Sequence, residues 1–581
     1  MQGQAVQPGV TTTAAADWSV RRRPSTIDEH FDQDARRERR FAFGAVAAIV
    51  IVGGVVPVLI ARHFGAFGIP RGDDVAYALS AFRLADTGTI NGNHWPSMNL
   101  VGQLVLSVPV VWLFGHRIAA LQVEVAMLGV IGLWAVFDLA KQLVSPRRAL
   151  FVAVLVAVGP LWAGLSATYL TDVPAFALAM VCLALGARSV RRSGLKLGLF
   201  CASLAIGLAA FSIREYAIVA PVAVGLAAYW VARPARSPSR RGIAVALGGL
   251  IALAVLIFAW RRSLPGFDDL SPRLPNAASL ESTARRFEES ALFLGLLVSP
   301  AVVLAGPRRV LAAALARAPW ATFVVCLGAG AVLTRDFLTP TTSADFLAPR
   351  SLITNQWTLR GTHPPLAPEW ALKAVALAGL LSFLMLICAA VPPVCDAVAR
   401  VRSRRIGRPT SPALVITALA TIGYGVACVL ASAVDLLFFT RYLLPLVPLL
   451  AILVLSADRV PARRTTSARI AAAATALLVV AGLGITYAMT SASFDGTKWS
   501  VAQAAARHAR SPRQVDGGFE WNNYYAGTVE YPFTAHVDAA CVILDTEPTR
   551  SIARRNILTA RRVWTPLGSD LWIVARRRGP C

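Results

Sequence analysis

Two adjacent carboxylates, Asp73 and Asp74, stand a few residues past the first long apolar run, in the stretch RGDDVAYALSAFRLADTG between Arg71 and Gly88. Acids beside a membrane exit are costly unless they have a partner or a task. A carboxylate placed there can act as a general base on a hydroxyl. A close pair can also split its titrations, leaving one member ionised near neutral pH. An Asp at a helix start also caps the first turn. One Asp suffices for that, and a second, flanked by Arg71 and Arg83, exceeds it. Asp172 in YLTDVPAF repeats the pattern, with Pro174 in the first turn, where proline is favoured. Asp73, Asp74 and Asp172 are therefore the catalytic candidates.

Cations with fitting chemistry stand near other span ends. Arg441 in FFTRYLLPLVPLL carries a guanidinium fork suited to phosphate, or else a side chain that snorkels to the interface. Arg214 in FSIREYAIVAP either binds a ligand or pairs with its neighbour Glu215. Tyr77, His94 in NGNHWPSMN, His363 and Glu215 are candidates for contacting substrate, although lone loop histidines are usually just solvated. Loop 335–370 adds Asp336, Asp345 and a proline cluster, but no ligand spacing is diagnostic of a metal. Glu124 and Asp138 lie inside an apolar run, where acids pair with arginines or line a polar groove. The segment VDGGFEWNNYYAG (515–527) suits stacking on a sugar or headgroup, or a turn with a local core. P-loop, Rossmann, Ser-His-Asp and paired CxxC patterns are missing, so a soluble nucleotide site is not indicated.

The elements that position these residues are membrane helices. Of 581 residues 56% are hydrophobic, too many for a soluble domain. The net charge of +25 comes almost entirely from arginine, since lysine occurs only at 141, 196, 373 and 498. Arginines gather between apolar runs, the pattern of loops that orient spans and not of a nucleic-acid surface. Apolar runs long enough for a span fall at 41–61, 118–141, 149–167, 173–188, 197–213, 216–232, 243–259, 289–305, 319–334, 371–391, 411–433, 442–457 and 470–489, about thirteen in all. The run 100–115 carries Pro109 and would break the charge alternation, so it reads as an interfacial helix. The arginine-rich connections at 145–148, 188–192, 233–241, 306–309, 399–405 and 457–464 then lie inside. Loop 260–288, with five arginines, runs against that pattern.

Three parts follow: a polar cytoplasmic tail without order at 1–40, a transmembrane catalytic part at 41–489 with a large first outer loop at 62–117, and a small α/β domain outside the membrane at 490–581. The tail precedes the first apolar run and is not a cleavable signal. In the last part, 498–508 reads as a helix, and 541–545 and 571–575 as strands. Export of that domain would allow a Cys541–Cys581 disulfide. The fold class is a mainly α polytopic membrane protein.

Taken in order, the Asp-Asp pair with its A-x-x-L-A-x-x-G tail, TDVPAF, REYAIVAP and RYLLPLVPLL resemble the polytopic GT-C glycosyltransferases that use polyprenyl-phosphate sugars. The likeness is to the branch of protein O-mannosyltransferases and the lipid A aminoarabinose transferase. It implies a sugar moved, with inversion, from a polyprenyl-phosphate donor to a hydroxyl of a protein, lipid or polysaccharide on the outer face of the cell membrane. Asp73 would be the base, Asp74 its acidic neighbour and Asp172 the second-loop acid, with Arg441 near the lipid phosphate. Some relatives carry a lysine where NGNHWPSMN has none, which leaves Arg71, Arg83 and Arg214 as alternatives for the donor phosphate. The resemblance implies no certain cofactor; some relatives use a divalent cation (Mg or Mn) and others do not. A transporter or lipid flippase is the rival reading. It calls for repeated halves or acids deep in the spans, whereas Asp73, Asp74 and Asp172 stand at span edges.

Overall fold

The computed structural model describes residues 40–191, 194–231, 240–267, 274–338, 359–361, 369–402, 411–434, 436, 439–457, 466–529, 540–548, 556–566 and 571–581. The expected tail, His363 and Asp345 lie outside the described residues. Residues 48–581 form one compact unit.

Among the described residues, nine helices are long and apolar enough to cross a membrane, and four further apolar helices are shorter (Val101–Phe114, Leu197–Phe211, Glu215–Trp230 and Pro319–Thr334). The chain is a multi-pass membrane protein. The expected count of thirteen spans is not confirmed. The run 149–167 is split, because Pro160 has no N–H to continue a ladder and Gly159 before it is extended (ψ 149°). Two pieces result, Pro146–Val158 and Pro160–Leu165. The last run does not end near 489. It continues as one 40-residue helix, Ser467–Ala506, which absorbs most of the separate helix expected from 498.

Five helices position the site. α1 (Asp74–Thr87) follows the turn at Gly72 and ends at Gly88, whose left-handed φ of 67° lets its N–H close on Leu84. α2 (Val101–Phe114) is the run read as interfacial; it packs against α1 and leaves Trp112, Leu113 and Phe114 exposed. α3 (Asp172–Ser189) is buried along most of its length. α4 is Ser467–Ala506, and α5 is the short helix Phe519–Ala526. At Gly496, α4 passes so close to the Phe64 carbonyl that a Cβ there would collide with backbone.

The α/β element near the C-terminus is a five-stranded sheet. β1 (Arg360–Gly361) and β2 (Val515–Asp516) pair in parallel with β3 (Val542–Pro548). β4 (Ile557–Arg562) and β5 (Leu571–Arg577) complete the antiparallel order β3–β5–β4, with Leu544 opposite Ala575. Strand residues on one face, including Val542, Leu544, Ile573 and Ala575, bury against Trp499, Val501 and Ala505 of α4 and against Trp521. Cys541 and Cys581 are joined by a disulfide that ties the chain end back to the start of β3.

Candidate active site

The two neighbouring carboxylates have different surroundings. Gly72, at φ +61°, turns the chain so that Asp73 and Asp74 point to separate partners. Asp74 is fully buried and accepts backbone N–H bonds from Arg71 and, at 3.3 Å, from Tyr169. Burial holds its carboxyl well above the usual carboxylate range, against the opposing pull of those N–H groups and of Arg71. Asp73 is about a quarter exposed, at 26%. Its Oδ1 accepts from the Trp95 indole N–H at 3.2 Å, and its Oδ2 from Arg441 Nη2 at 3.2 Å. Neither carboxylate of α1, nor that of Asp172, caps its helix.

Asp172 begins α3 in a wholly buried position, where a carboxylate demands compensation. Its Oδ2 lies 3.2 Å from Arg214 Nη2 and 3.7 Å from Arg441 Nε. Arg441 therefore bridges Asp73 and Asp172, and it stands 368 residues from Asp73 in sequence. Arg214 turns to Asp172, to Thr171 Oγ1 and to the Tyr442 hydroxyl at 3.1 Å, and away from Glu215. Aromatic rings sandwich the cations: the Phe439 centroid is 4.4 Å from the Arg441 guanidinium carbon, and that of Tyr442 is 5.1 Å from that of Arg214. Tyr77 is buried beside these charges, and burial keeps its hydroxyl protonated well above its ordinary range.

Hydrogen-bonding capacity remains at this site. Asp172 Oδ1 and the Tyr216 hydroxyl are buried without a hydrogen-bond partner among the described residues.

The other candidates go elsewhere. Arg71 bonds Asp495 at 2.8 Å and Ser491 at 2.8 Å, in a second cluster that the sequence reading did not assemble. There Lys498 meets Glu520 at 2.7 Å, and Glu520 also accepts the Gly72 N–H at 3.0 Å. Arg83 lies nine residues beyond Asp74, roughly 13 Å along the axis of α1, and is half-buried. His94 is exposed; its backbone N–H, not its ring, ties it to Gly266 at 2.7 Å. Asp138 pairs with Arg188, as an intramembrane acid should. The 515–527 aromatics form local core, with Trp521 packed on Trp499 and Tyr525. Among the described residues no group of three or more His, Cys, Asp or Glu could hold a metal ion.

Trp95, Lys498, Asp495 and Glu520 were missed. A signal was present: Lys498 is one of four lysines among 57 basic residues, an exception in an arginine-dominated chain.

Residues 101–260 match the family profile of the dolichyl-phosphate-mannose-protein mannosyltransferases. No curated protein matches the chain by sequence. Among solved structures, ArnT from Cupriavidus metallidurans, bound to undecaprenyl phosphate, aligns at 12% identity over 93% of this chain and 99% of its own, with a TM-score of 0.38. The Archaeoglobus fulgidus oligosaccharyltransferase in its apo form aligns at 14% identity over 86% of this chain and 69% of its own, with a TM-score of 0.43. At these scores the likeness is one of outline. The family match runs from α2 through TDVPAF and REYAIVAP, and by it the enzyme class read from the sequence stands: the chain is a polytopic membrane glycosyltransferase.

Proposed function

We propose that the protein transfers a sugar from a polyprenyl-phosphate donor to an acceptor hydroxyl, with Asp73 as general base. The observation that carries this reading is the bridge from Arg441 to Asp73 and Asp172. It sets a partly exposed acid beside two buried guanidiniums, the pieces needed to take a proton and to receive a leaving phosphate. The donor class rests on the family match.

In this reading Asp73 takes the proton of the acceptor hydroxyl. The hydroxyl oxygen forms a bond to the anomeric carbon, the bond from that carbon to the phosphate oxygen breaks, and the lipid phosphate leaves with the electron pair. A single displacement inverts the anomeric centre. The donor phosphate competes with Asp73 for Arg441, because a guanidinium serves phosphate and carboxylate equally well. Donor binding then frees the carboxylate to act as base. Arg214, fixed by Asp172, Thr171 and Tyr442, supplies positive charge that need not move. The reading puts the site at the outer face of the cell membrane, with a cytoplasmic N-terminus. The Cys541–Cys581 disulfide supports this, since such bonds persist in oxidising compartments. The acceptor is a protein, lipid or polysaccharide hydroxyl, and a divalent cation is optional.

The test is release of polyprenyl phosphate from polyprenyl-phosphate mannose, arabinose or galactose by the full chain in lipid vesicles, with a membrane extract as acceptor. Asp73→Asn should lower turnover about 10³-fold while the protein stays inserted and folded. Near-normal turnover in that variant would overturn the base assignment.

A further inference from the structure

The first turn of α5 touches the Asp73 loop at two points. Glu520 Oε1 accepts the Gly72 N–H at 3.0 Å, at the left-handed residue that aims Asp73. Phe519 packs on Trp95, ring centroids 4.5 Å apart, and the Trp95 indole N–H holds Asp73 Oδ1. Glu520 is 1% exposed, and its second oxygen is taken by Lys498, itself 2% exposed. A buried ion pair is weak evidence for stability, because apolar residues of similar volume often serve as well. What an apolar pair cannot supply is an acceptor for the Gly72 N–H.

We infer that Glu520 is a positioning residue: held by Lys498, it clamps the Gly72 turn from the C-terminal domain and so fixes the direction of Asp73. This rests on the role proposed above for Asp73. It makes the C-terminal domain part of the catalytic apparatus. α5 packs directly against α1 and the sheet packs on α4, so the domain holds the loop from one side while Arg441 holds it from the other. Catalytic groups must be held within about 0.5 Å of their productive geometry. Loss of the clamp should therefore act on the chemical step.

The experiment uses the full chain in lipid vesicles. Glu520→Ala should lower kcat per folded molecule about 100-fold with donor KM within about threefold. It should also speed hydrogen exchange at residues 71–76 while leaving residues 172–189 unchanged. The double variant Glu520→Gln with Lys498→Met keeps an acceptor oxygen for Gly72 and leaves no lone cation, and should recover kcat to within about tenfold of the wild type. Near-normal kcat in Glu520→Ala, or unchanged exchange at 71–76, overturns the proposal. So does an equal loss in the Ala and Gln/Met variants, which is what a purely structural role gives. Failure of the wild type to release polyprenyl phosphate would instead strike the transfer reading, and the exchange measurement would still decide the clamp.

Discussion

The cluster around Arg441 and the cluster around Glu520 lie on either side of the Gly72 turn, and both pair buried acids with buried cations. In the Glu520 cluster both carboxylate oxygens are used, one by Lys498 and one by a backbone N–H. In the Arg441 cluster Asp172 keeps an unpartnered buried oxygen, and Asp73 is 26% open. A saturated buried network rigidifies what it touches; an incomplete one is costly to keep unless a ligand completes it. In the proposed reading, the contrast separates the part that holds from the part that reacts.

Removing a charge from each side is the strongest way to break that distinction. Asp172→Ala removes the carboxylate that Arg214 and Arg441 share, and both guanidiniums stay buried. It should destabilise the protein by about 3–5 kcal/mol, a large share of a typical folding free energy, read as a lowered midpoint of unfolding in detergent. The Glu520→Gln, Lys498→Met pair removes both charges of that ion pair, leaves Arg71 with Asp495, and should stay within about 2 kcal/mol of the wild type. Equal losses on the two sides would erase the difference between an open and a closed cluster.

Arg441→Ala comes next. Asp172 keeps Arg214, so the fold should lose less than in Asp172→Ala, while kcat/KM for the donor should fall about 10- to 100-fold, the worth of a charge-assisted bond of about 1.5–3 kcal/mol. Arg441→Lys should recover only part, because a single ammonium cannot span Asp73 and Asp172 as the guanidinium does. A loss of folded protein that matches the loss of donor use would make Arg441 a structural strut.

Much of the Arg441 cluster was legible because each acid and arginine stood at the edge of an apolar run, where charge is costly and position along the sequence is informative. The Glu520 cluster was not. Asp495 and Lys498 sit within a helix whose apolar run suggested an end near 489, and Glu520 sits in an aromatic stretch that reads as core. Nothing in local periodicity says that α4 continues to 506 or that its last turns face the first loop; only the sheet packed on it fixes that. Two arginines of loop 260–288, which ran against the charge pattern, have local work. Arg261 is buried, donates to the Pro96 carbonyl at 2.9 Å and stacks on Phe267, while Arg286 reaches the Leu436 carbonyl. The positive-inside rule counts charges and cannot recognise one already committed inside the protein.

The smallest effect sharpens the contrast between the adjacent acids. Asp74 bonds only backbone N–H groups and lies on the holding side, so Asp74→Asn should cost about 1 kcal/mol, one of its two N–H partners facing an amide donor instead of an oxygen. Burial keeps its carboxyl above the ordinary value of 3.8, so the folded chain retains a proton that the unfolded chain has released. The unfolded state then binds fewer protons, and stability falls as pH rises from 3.8 through the folded value. That contribution is complete below the unfolded value and gone above the folded one. Asn does not titrate in this range, so the stability of the wild type relative to Asp74→Asn should shrink steadily as pH is raised from about 4. Unfolding midpoints of both proteins across that range read the difference directly. A difference independent of pH would mean that Asp74 carries no such proton, and that the two neighbouring acids are not divided between holding and reacting.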